Sequence, residues 1–151
     1  MDQREPLGFV QTNLHQWGAL TLFHGLPSDR VYAIVQDPEG LLWFATESGL
    51  AKYDGKRVQK IVAEGLPTGK VNALAVDWQG RLWIGTENGA SLFSAGSFKT
   101  IDATKDYSIS SIHIPAKKSS GYEDRATLEE QAIFSSKQGT IFLCSLNSLN
   151  V

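Results

Sequence analysis

Apolar residues occur in short runs that are separated by glycine-containing turns. The first run, Val31–Gln36, stops at the turn 37–40, and the second, Leu41–Thr46, stops at Glu47-Ser48-Gly49. Glycine supplies the positive φ that such tight turns require. Both runs are apolar at successive positions, which is typical of strands buried on both faces. Two wetter strands are predicted to follow, at Ala51–Tyr53 and Val58–Val62.

The whole pattern occurs twice. Residues 26–65 align without a gap to residues 66–105, and identical residues fall at the turns as well as in the strands. A fixed period in the range of 20–50 residues indicates a repeat architecture. Each unit is predicted to form four antiparallel strands, A to D, stacked against its neighbours. The identical pairs include Leu26/Leu66, Pro27/Pro67, Val31/Val71, Asp37/Asp77, Gly40/Gly80, Trp43/Trp83 and Gly49/Gly89.

A third, degenerate unit is expected at 106–151. Tyr107–Ile114 occupies the strand A position, Ala132–Ser136 echoes strand B, and Thr140–Leu146 can form strand C. The polar segment 115–131 between A and B is interpreted as a mobile loop insertion. This unit lacks a strand D. The segment 19–25 precedes the first unit, and within it Ala19–His24 is predicted to be an orphan outer strand D.

These features predict a single all-β domain made of about three β-propeller blades. Gly and Pro interrupt every unit, and no window has helical apolar spacing, which excludes a helical solenoid. The core between blades is predicted from the apolar positions of strands A and B. Its expected members are Ile34, Leu42, Trp43, Leu74, Leu82 and Trp83.

Composition narrows the possible partners. Hydrophobic residues make up 42% and charged residues 20%, and the net charge is -2. This balance is typical of a globular protein and argues against broad electrostatic binding of nucleic acid. No apolar run reaches the length of about 20 residues that spans a bilayer, so membrane insertion is not expected. The polar N-terminus does not resemble a secretory signal, which leaves the compartment open.

The repeat units resemble the two-component regulator propeller repeat. The resemblance is carried by Gly25-Leu26-Pro27, Val31, Asp37, Gly40, Leu42-Trp43, Thr46, Gly49 and Tyr53-Asp54-Gly55, with their counterparts through residue 93. It implies an extracytoplasmic sensor propeller, often of seven blades, placed before a histidine kinase or related output module. Kinase and membrane segments are absent from this sequence.

Catalytic motifs are not evident in the sequence. His15, His24 and His113 have no metal-ligand spacing, so no metal or other cofactor is expected. Cys144 lies in an apolar strand without a neighbouring base, which favours an inert thiol. Asp37 and Asp77 recur at one turn, where a carboxylate accepts backbone hydrogen bonds from two residues ahead. The glycines at 40, 49, 80 and 89 are likewise assigned to turns.

Strand A begins beside the central channel of a propeller, so the residues there are the candidate ligand site. They are Asp29, Arg30, Tyr32, Lys70 and Asn72. Glu47 and Glu87 lie beside the B–C turns, where repeated carboxylates on one rim could bind a cation or a polar ligand, but solvated turn residues are the simpler interpretation.

Two classes of function remain open from the sequence. The first is a non-enzymatic module that senses a small-molecule ligand or binds a protein; the second is a propeller enzyme, such as a lyase or hydrolase, with its site in the central funnel. The lack of recognisable catalytic motifs in the sequence favours the first class. Because three blades cannot close a ring, we expect the propeller to be completed either by a longer natural sequence of which this chain is a piece or by a homo-oligomer. The simplest oligomer is a dimer with six blades in which Ala19–His24 pairs with Thr140–Leu146 of the other copy.

Overall fold

The computed structural model describes residues 18–115 and 131–145. Strands occupy most of this part of the chain, and two short 3₁₀ turns, Leu22–His24 and Asp102–Thr104, connect them. In chain order the strands are β1 (Val31–Gln36), β2 (Leu42–Thr46), β3 (Gly49–Tyr53), β4 (Val58–Ile61), β5 (Val71–Val76), β6 (Leu82–Thr86), β7 (Gly89–Ser94), β8 (Ser97–Ile101), β9 (Ile109–His113), β10 (Gln131–Ser136) and β11 (Ile141–Ser145).

The strands form three separate antiparallel sheets. The first has the order β1-β2-β3-β4, the second β5-β6-β7-β8, and the third β11-β10-β9. Each is a meander in which sequential strands are neighbours, and the strands within the first two sheets are joined by short turns. The inner strands β1, β5 and β9 lie side by side. The predicted all-β fold of propeller blades is confirmed, and we refer to the three sheets as blades 1, 2 and 3.

Each pair of neighbouring blades encloses an apolar core. Trp43 of blade 1 packs into a cluster with Leu74 and Ile84 of blade 2. Trp83 of blade 2 occupies the corresponding place against Phe134 of blade 3, with ring centres 5.6 Å apart. A buried tryptophan therefore stands at each of the two blade junctions.

The predicted core residues differ in burial. Trp43, Leu74, Leu82 and Trp83 are buried, and Leu42 is half-buried beside Leu26 and Phe44. Ile34 does not lie in a core: it is 58% exposed, whereas its counterpart Leu74 is 9% exposed. The difference arises because Leu74 faces blade 1, while no blade precedes Ile34 among the described residues.

The expectation of an orphan outer strand at Ala19–His24 is wrong. Residues 22–24 form a 3₁₀ turn, and no strand lies in 18–30. Thr21 caps this turn, because its side chain accepts a hydrogen bond from the Phe23 amide, and His24 bonds back to the Thr21 amide. Gly25 ends the turn with φ +102°. The proposed pairing of Ala19–His24 with another copy consequently has no structural basis.

The third blade follows the sequence prediction in its strand order. Strands β9 and β10 pair directly, although residues 114–130 separate them in sequence. Strand β11 pairs with the other side of β10. Most of the predicted loop insertion 115–131, namely residues 116–130, lies outside the described residues. The structure therefore does not test the prediction that this loop is mobile.

Candidate functional site

The starts of the inner strands and the B–C turns share one edge of the blades. Antiparallel pairing places the end of the second strand of a blade next to the beginning of its first. The amide of Glu47 donates to the Arg30 carbonyl at 3.1 Å, and the amide of Glu87 donates to the Lys70 carbonyl at 2.9 Å. We call this edge the inner rim. Two groups that the sequence separates, the strand A residues and the B–C glutamates, are therefore neighbours.

A β-bulge interrupts the inner strand of every blade at this rim. The register shifts between Val31 and Ala33 and again between Val71 and Ala73, so Tyr32 and Asn72 are the extra residues. The third blade has the same irregularity at Ser110. A bulge redirects the side chain that it carries. Here the bulge directs Asn72 across the blade junction, where the side-chain amide of Asn72 donates a hydrogen bond to the Ile109 carbonyl at 2.8 Å.

At the first junction the bulge residue is Tyr32, which joins a cluster of three polar side chains. The Tyr32 hydroxyl donates to Glu47 Oε2, and Lys70 Nζ of blade 2 lies 3.6 Å from the same oxygen. Lys70 Nζ also lies 4.4 Å from the centre of the Tyr32 ring. The Tyr32–Glu47–Lys70 cluster thus connects two blades through side chains that remain partly exposed.

Electrostatics hold both ionisable ends of the cluster in their charged forms. The Tyr32 hydrogen bond, followed by the charge of Lys70, lowers the pKa of Glu47 below its ordinary value of 4.5. Hydrogen bonding to Tyr32, followed by the charge of Glu47, raises the pKa of Lys70. A general acid or base works best with a pKa near the operating pH. The shifts move both groups away from that condition, so the cluster is better suited to binding than to proton transfer.

The remaining candidate residues have different surroundings. Asp29 and Arg30 are exposed, and the Arg30 charge contributes to lowering the pKa of Glu47. Asn72 is engaged in its bond across the second junction. Glu87 Oε1 accepts a hydrogen bond from the Lys70 amide at 2.9 Å, which fixes the start of β5. The sequence favoured a solvated turn residue at Glu47. Glu47 instead contacts Tyr32 and Lys70, which are 15 and 23 positions away, and no local pattern reveals such contacts.

Asp37 and Asp77 organise the A–B turns at the opposite edge. Asp77 Oδ1 accepts bonds from the Gln79 and Arg81 amides at 2.9 and 3.0 Å, and Asp37 Oδ1 accepts the equivalent pair of bonds. The hydrogen bond from the amide two residues ahead was predicted from the recurrence of aspartate at this turn. The second carboxylate oxygen has a role that the sequence analysis missed: it accepts a 2.8 Å bond from Trp43 Nε1 or Trp83 Nε1.

The turn glycines have the backbone conformation that the sequence predicted. Gly40 and Gly80 close the A–B turns, with φ of +89° and +80°, and the amide of each donates to the carbonyl of the turn aspartate. Gly49 and Gly89 follow the B–C turns with φ of +123° and +120°. Their carbonyls accept bonds from the hydroxyls of Thr46 and Thr86.

Other chemistry is sparse in the described part of the chain. Residues 18–115 and 131–145 contain no group of three potential metal ligands. Burial raises the pKa of the Cys144 thiol, which leaves less of the reactive thiolate at neutral pH. Among the same residues, no helix is long and apolar enough to cross a membrane.

Comparison with protein families gives a match in both full repeats. Residues 25–48 and 65–88 match the family model described as "Two component regulator propeller". Both matched segments run from the Gly-Leu-Pro connection through the B–C turn, and so contain the inner rim. These two segments are therefore similar to two-component regulator propeller repeats. No curated protein sequence matches the chain.

A solved structure shares the fold of these propeller repeats. It is the extracellular domain of a hybrid two component system protein from B. thetaiotaomicron, with a TM-score of 0.59 and 19% sequence identity. The match covers 87% of this chain but 25% of the other chain. The chain therefore spans about a quarter of the length of that extracellular domain.

Proposed function

We propose that this chain is a non-enzymatic recognition module, an extracytoplasmic propeller segment that binds a small polar ligand or a protein segment at the inner rim. The family of the repeats and the extracellular location of the similar domain support this assignment. The observation that carries it is the Tyr32–Glu47–Lys70 cluster, which presents charged and aromatic groups of two blades on one exposed edge.

The cluster offers a ligand several kinds of contact. Lys70 and the neighbouring Arg30 provide positive charge, Glu47 provides an acceptor, and Tyr32 provides a partly exposed ring. A polar ligand would exchange bonds with groups that already satisfy one another, so its binding would alter the contact between blades 1 and 2. A change at a blade junction is a physical basis for sensing, because it couples occupancy to the relative position of two sheets.

Catalysis at the same rim is the alternative that the sequence left open. The cluster does place titratable groups within hydrogen-bond reach. However, the pKa shifts of Glu47 and Lys70 stabilise their charged forms, and the second junction has Asn72 where the first has Tyr32. These observations favour binding, so we do not propose an enzymatic function.

An amide NMR titration tests the proposal. The probes are the twenty amino acids and a panel of mono- and dicarboxylic acids, each added to the 151-residue chain. We expect saturable shifts in Arg30, Tyr32, Glu47 and Lys70 with at least one probe, and loss of these shifts in Lys70→Met. Lys99→Met, on the outer strand β8, is the control and should bind as the parent does. Shifts that persist unchanged in Lys70→Met would assign binding to another surface.

A further inference from the structure

A cavity lies between the 3₁₀ turn that precedes blade 1 and the hairpin that joins β3 to β4. It has a volume of about 680 Å³ and opens to solvent. Leu20 packs together with Tyr53 and Val58 beside the core of blade 1, and these side chains form the apolar wall of the cavity. The lining also includes Phe23, His24, Lys56 and Arg57. We call this cavity the outer pocket.

Backbone contacts fix both sides of the outer pocket. On one side, Gly25 approaches β4 so closely that a Cβ there would lie 2.9 Å from the Val58 carbonyl oxygen. On the other side, Asp54 Oδ1 accepts hydrogen bonds from the amides of Lys56 and Arg57, both at 2.8 Å. The pocket is therefore formed before a ligand arrives, which reduces the entropic cost of binding.

The polar side chains of the outer pocket are mainly positive charges and hydrogen-bond donors. The ion pairs formed between described residues lie elsewhere, and neither includes Lys56 or Arg57. His24 Nδ1 accepts a hydrogen bond from the Thr21 amide, so the ring N–H is on Nε2, where it can donate. The carboxylate of Asp54 offsets part of the positive charge, but its Oδ1 already accepts the two turn amides. A ligand that complements these groups is an anion.

The second repeat has the same backbone approach without these side chains. Gly65 lies against the Phe98 carbonyl as Gly25 lies against the Val58 carbonyl. Forty positions after Phe23, His24, Lys56 and Arg57, the sequence has Ala63, Glu64, Gly96 and Ser97. Phe23 is 100% exposed, so packing does not explain its ring either. The repeat therefore folds without this combination of an aromatic ring and basic side chains, and binding of a ligand would account for it.

We propose that the outer pocket binds a small organic acid, with its carboxylate at Lys56 and Arg57 and its apolar part against Phe23 and Tyr53. Arginine binds a carboxylate through two parallel N–H donors, and an aromatic side chain covers a large apolar area. An apolar wall with a few polar groups is the usual form of a small-molecule site.

The outer pocket is separate from the inner rim. Tyr53 pairs with Leu42 at one end of β3, and Gly49 pairs with Thr46 at the other end, next to the B–C turn. The hairpin that joins β3 to β4 consequently lies at the edge of blade 1 opposite the inner rim. The proposal adds a second site and does not depend on ligand binding at the rim.

Amide NMR titration of the 151-residue chain tests the ligand class. The acids are benzoate, phenylacetate, 3-phenylpropionate and hexanoate, while phenylacetamide lacks the charge and acetate lacks the apolar part. We expect saturable shifts of Phe23, His24, Lys56 and Arg57 with at least one acid, and about tenfold weaker binding of phenylacetamide and acetate, equivalent to about 1.4 kcal/mol. Absence of saturable shifts with all four acids would overturn the proposal. Equal binding of phenylacetamide or acetate would also overturn it.

Single substitutions then identify the side chains that bind the acid. Arg57→Met removes a charge but keeps the backbone bonds of the turn, and Phe23→Ser removes the ring. Each should weaken binding of the best acid by about tenfold. Lys60→Met is the matched control, because Lys60 is exposed on β4 of the same blade but does not line the pocket. It should bind as the parent does. Unchanged affinity in Arg57→Met or Phe23→Ser would refute the proposed placement of the acid.

The rim variant Lys70→Met separates this proposal from the proposed function of the inner rim. The shifts of Lys56 and Arg57, and the affinity that they report, should be the same in Lys70→Met as in the parent. Loss of these shifts in Lys70→Met would assign the acid to the inner rim and overturn the second site. If the rim binds nothing, the shifts at the outer pocket should still appear, so the two proposals can fail separately.

Discussion

At the scale of single residues, the aspartate–tryptophan bond explains why Asp and Trp occur together in each repeat. A buried indole N–H needs an acceptor, and the turn aspartate supplies it six positions earlier. The two copies of the bond differ in burial. Asp77 is buried and also binds Arg81 Nε at 2.7 Å, whereas Asp37 is half-buried and has Leu41 in the place of that arginine.

Replacing the two aspartates should therefore have unequal effects. Asp77→Ala removes the acceptor of Trp83, two backbone amides and a buried ion pair, and should reduce the free energy of unfolding by about 3–5 kcal/mol. Asp37→Ala removes the acceptor of Trp43 without the ion pair and should cost about 1–3 kcal/mol. Urea titration of both variants measures the difference. Equal losses would show that the Arg81 pair contributes nothing.

The Tyr32–Glu47–Lys70 cluster makes a separate prediction about pH. The pKa of Glu47 is lowered on folding, so the cluster contributes to stability above pH 4.5, and this contribution is lost as the pH falls through the lower pKa of the folded protein. Carboxyl-carbon NMR should give a midpoint below 4.5 for Glu47. Tyr32→Phe and Lys70→Met should each raise the midpoint, because the hydrogen bond from Tyr32 is the largest single cause of the shift and Lys70 lowers the pKa through both its charge and a hydrogen bond. A midpoint that neither variant raises would contradict the contacts of the cluster.

At the scale of elements, the connection between blades depends on a close backbone approach. Gly65 has φ +83°, and a Cβ placed there would lie 2.0 Å from the Phe98 carbonyl oxygen. Its own carbonyl accepts bonds from the Ser91 and Thr100 hydroxyls at 2.7 and 3.0 Å. The connection is thus fixed against the outer strands of blade 2 on both sides of the peptide.

Gly65→Ala and Gly96→Ala form a matched pair of variants that measures the effect of this close backbone approach on stability. Gly96 has a similar φ of +81°, but a Cβ there would meet nothing within 4 Å. Gly96→Ala should cost about 1–2 kcal/mol from backbone strain alone. Gly65→Ala adds a steric clash and should cost about 2–5 kcal/mol in total. Thermal and urea unfolding measure both, and equal costs would contradict the close packing.

The strands were predictable because their signals are local. Strand β1 has the predicted bounds, and β2 starts one residue later than predicted, since turn glycines and apolar runs mark the ends of each strand. The segment Ala19–His24 was mispredicted as a strand for the same reason. Its apolar residues have the pattern of a strand, but the capping hydrogen bonds between Thr21, Phe23 and His24 stabilise a tight turn. Such bonds depend on the geometry of side chains, which cannot be deduced from the pattern of apolar residues.

The candidate site was less predictable because its contacts are long-range. The sequence placed Tyr32 and Lys70 near the channel, but gave no sign that Glu47 would join them across a blade junction. The bulges at Tyr32 and Asn72 were also missed, since an extra residue in a strand leaves the apolar alternation almost unchanged. Ile34 was assigned to the core because the apolar pattern indicates a face that packs against a neighbour. The pattern does not identify that neighbour.

At the scale of the whole molecule, the three blades of the described residues form a series with exposed apolar side chains at each end. Each internal junction is stabilised by a buried tryptophan and its neighbours, while the outer faces expose Ile34 at one end and Leu143 at the other. Such a molecule resembles a repeat array, in which stability is approximately the sum of repeat and interface terms. The ends are then the least stabilised parts.

The aspartate–tryptophan bond also has a consequence for how the blades can diverge in evolution. Because the indole must reach an acceptor six positions earlier, a blade that keeps its tryptophan cannot lengthen its A–B turn. The third blade has Ile133 in the place of Trp83, and there His113 and Gln131 are separated by a long inserted segment. Isoleucine has no N–H that requires a partner. Loss of one hydrogen-bond donor therefore releases a turn from its length constraint, and new sequence can accumulate in that blade without disturbing its neighbours.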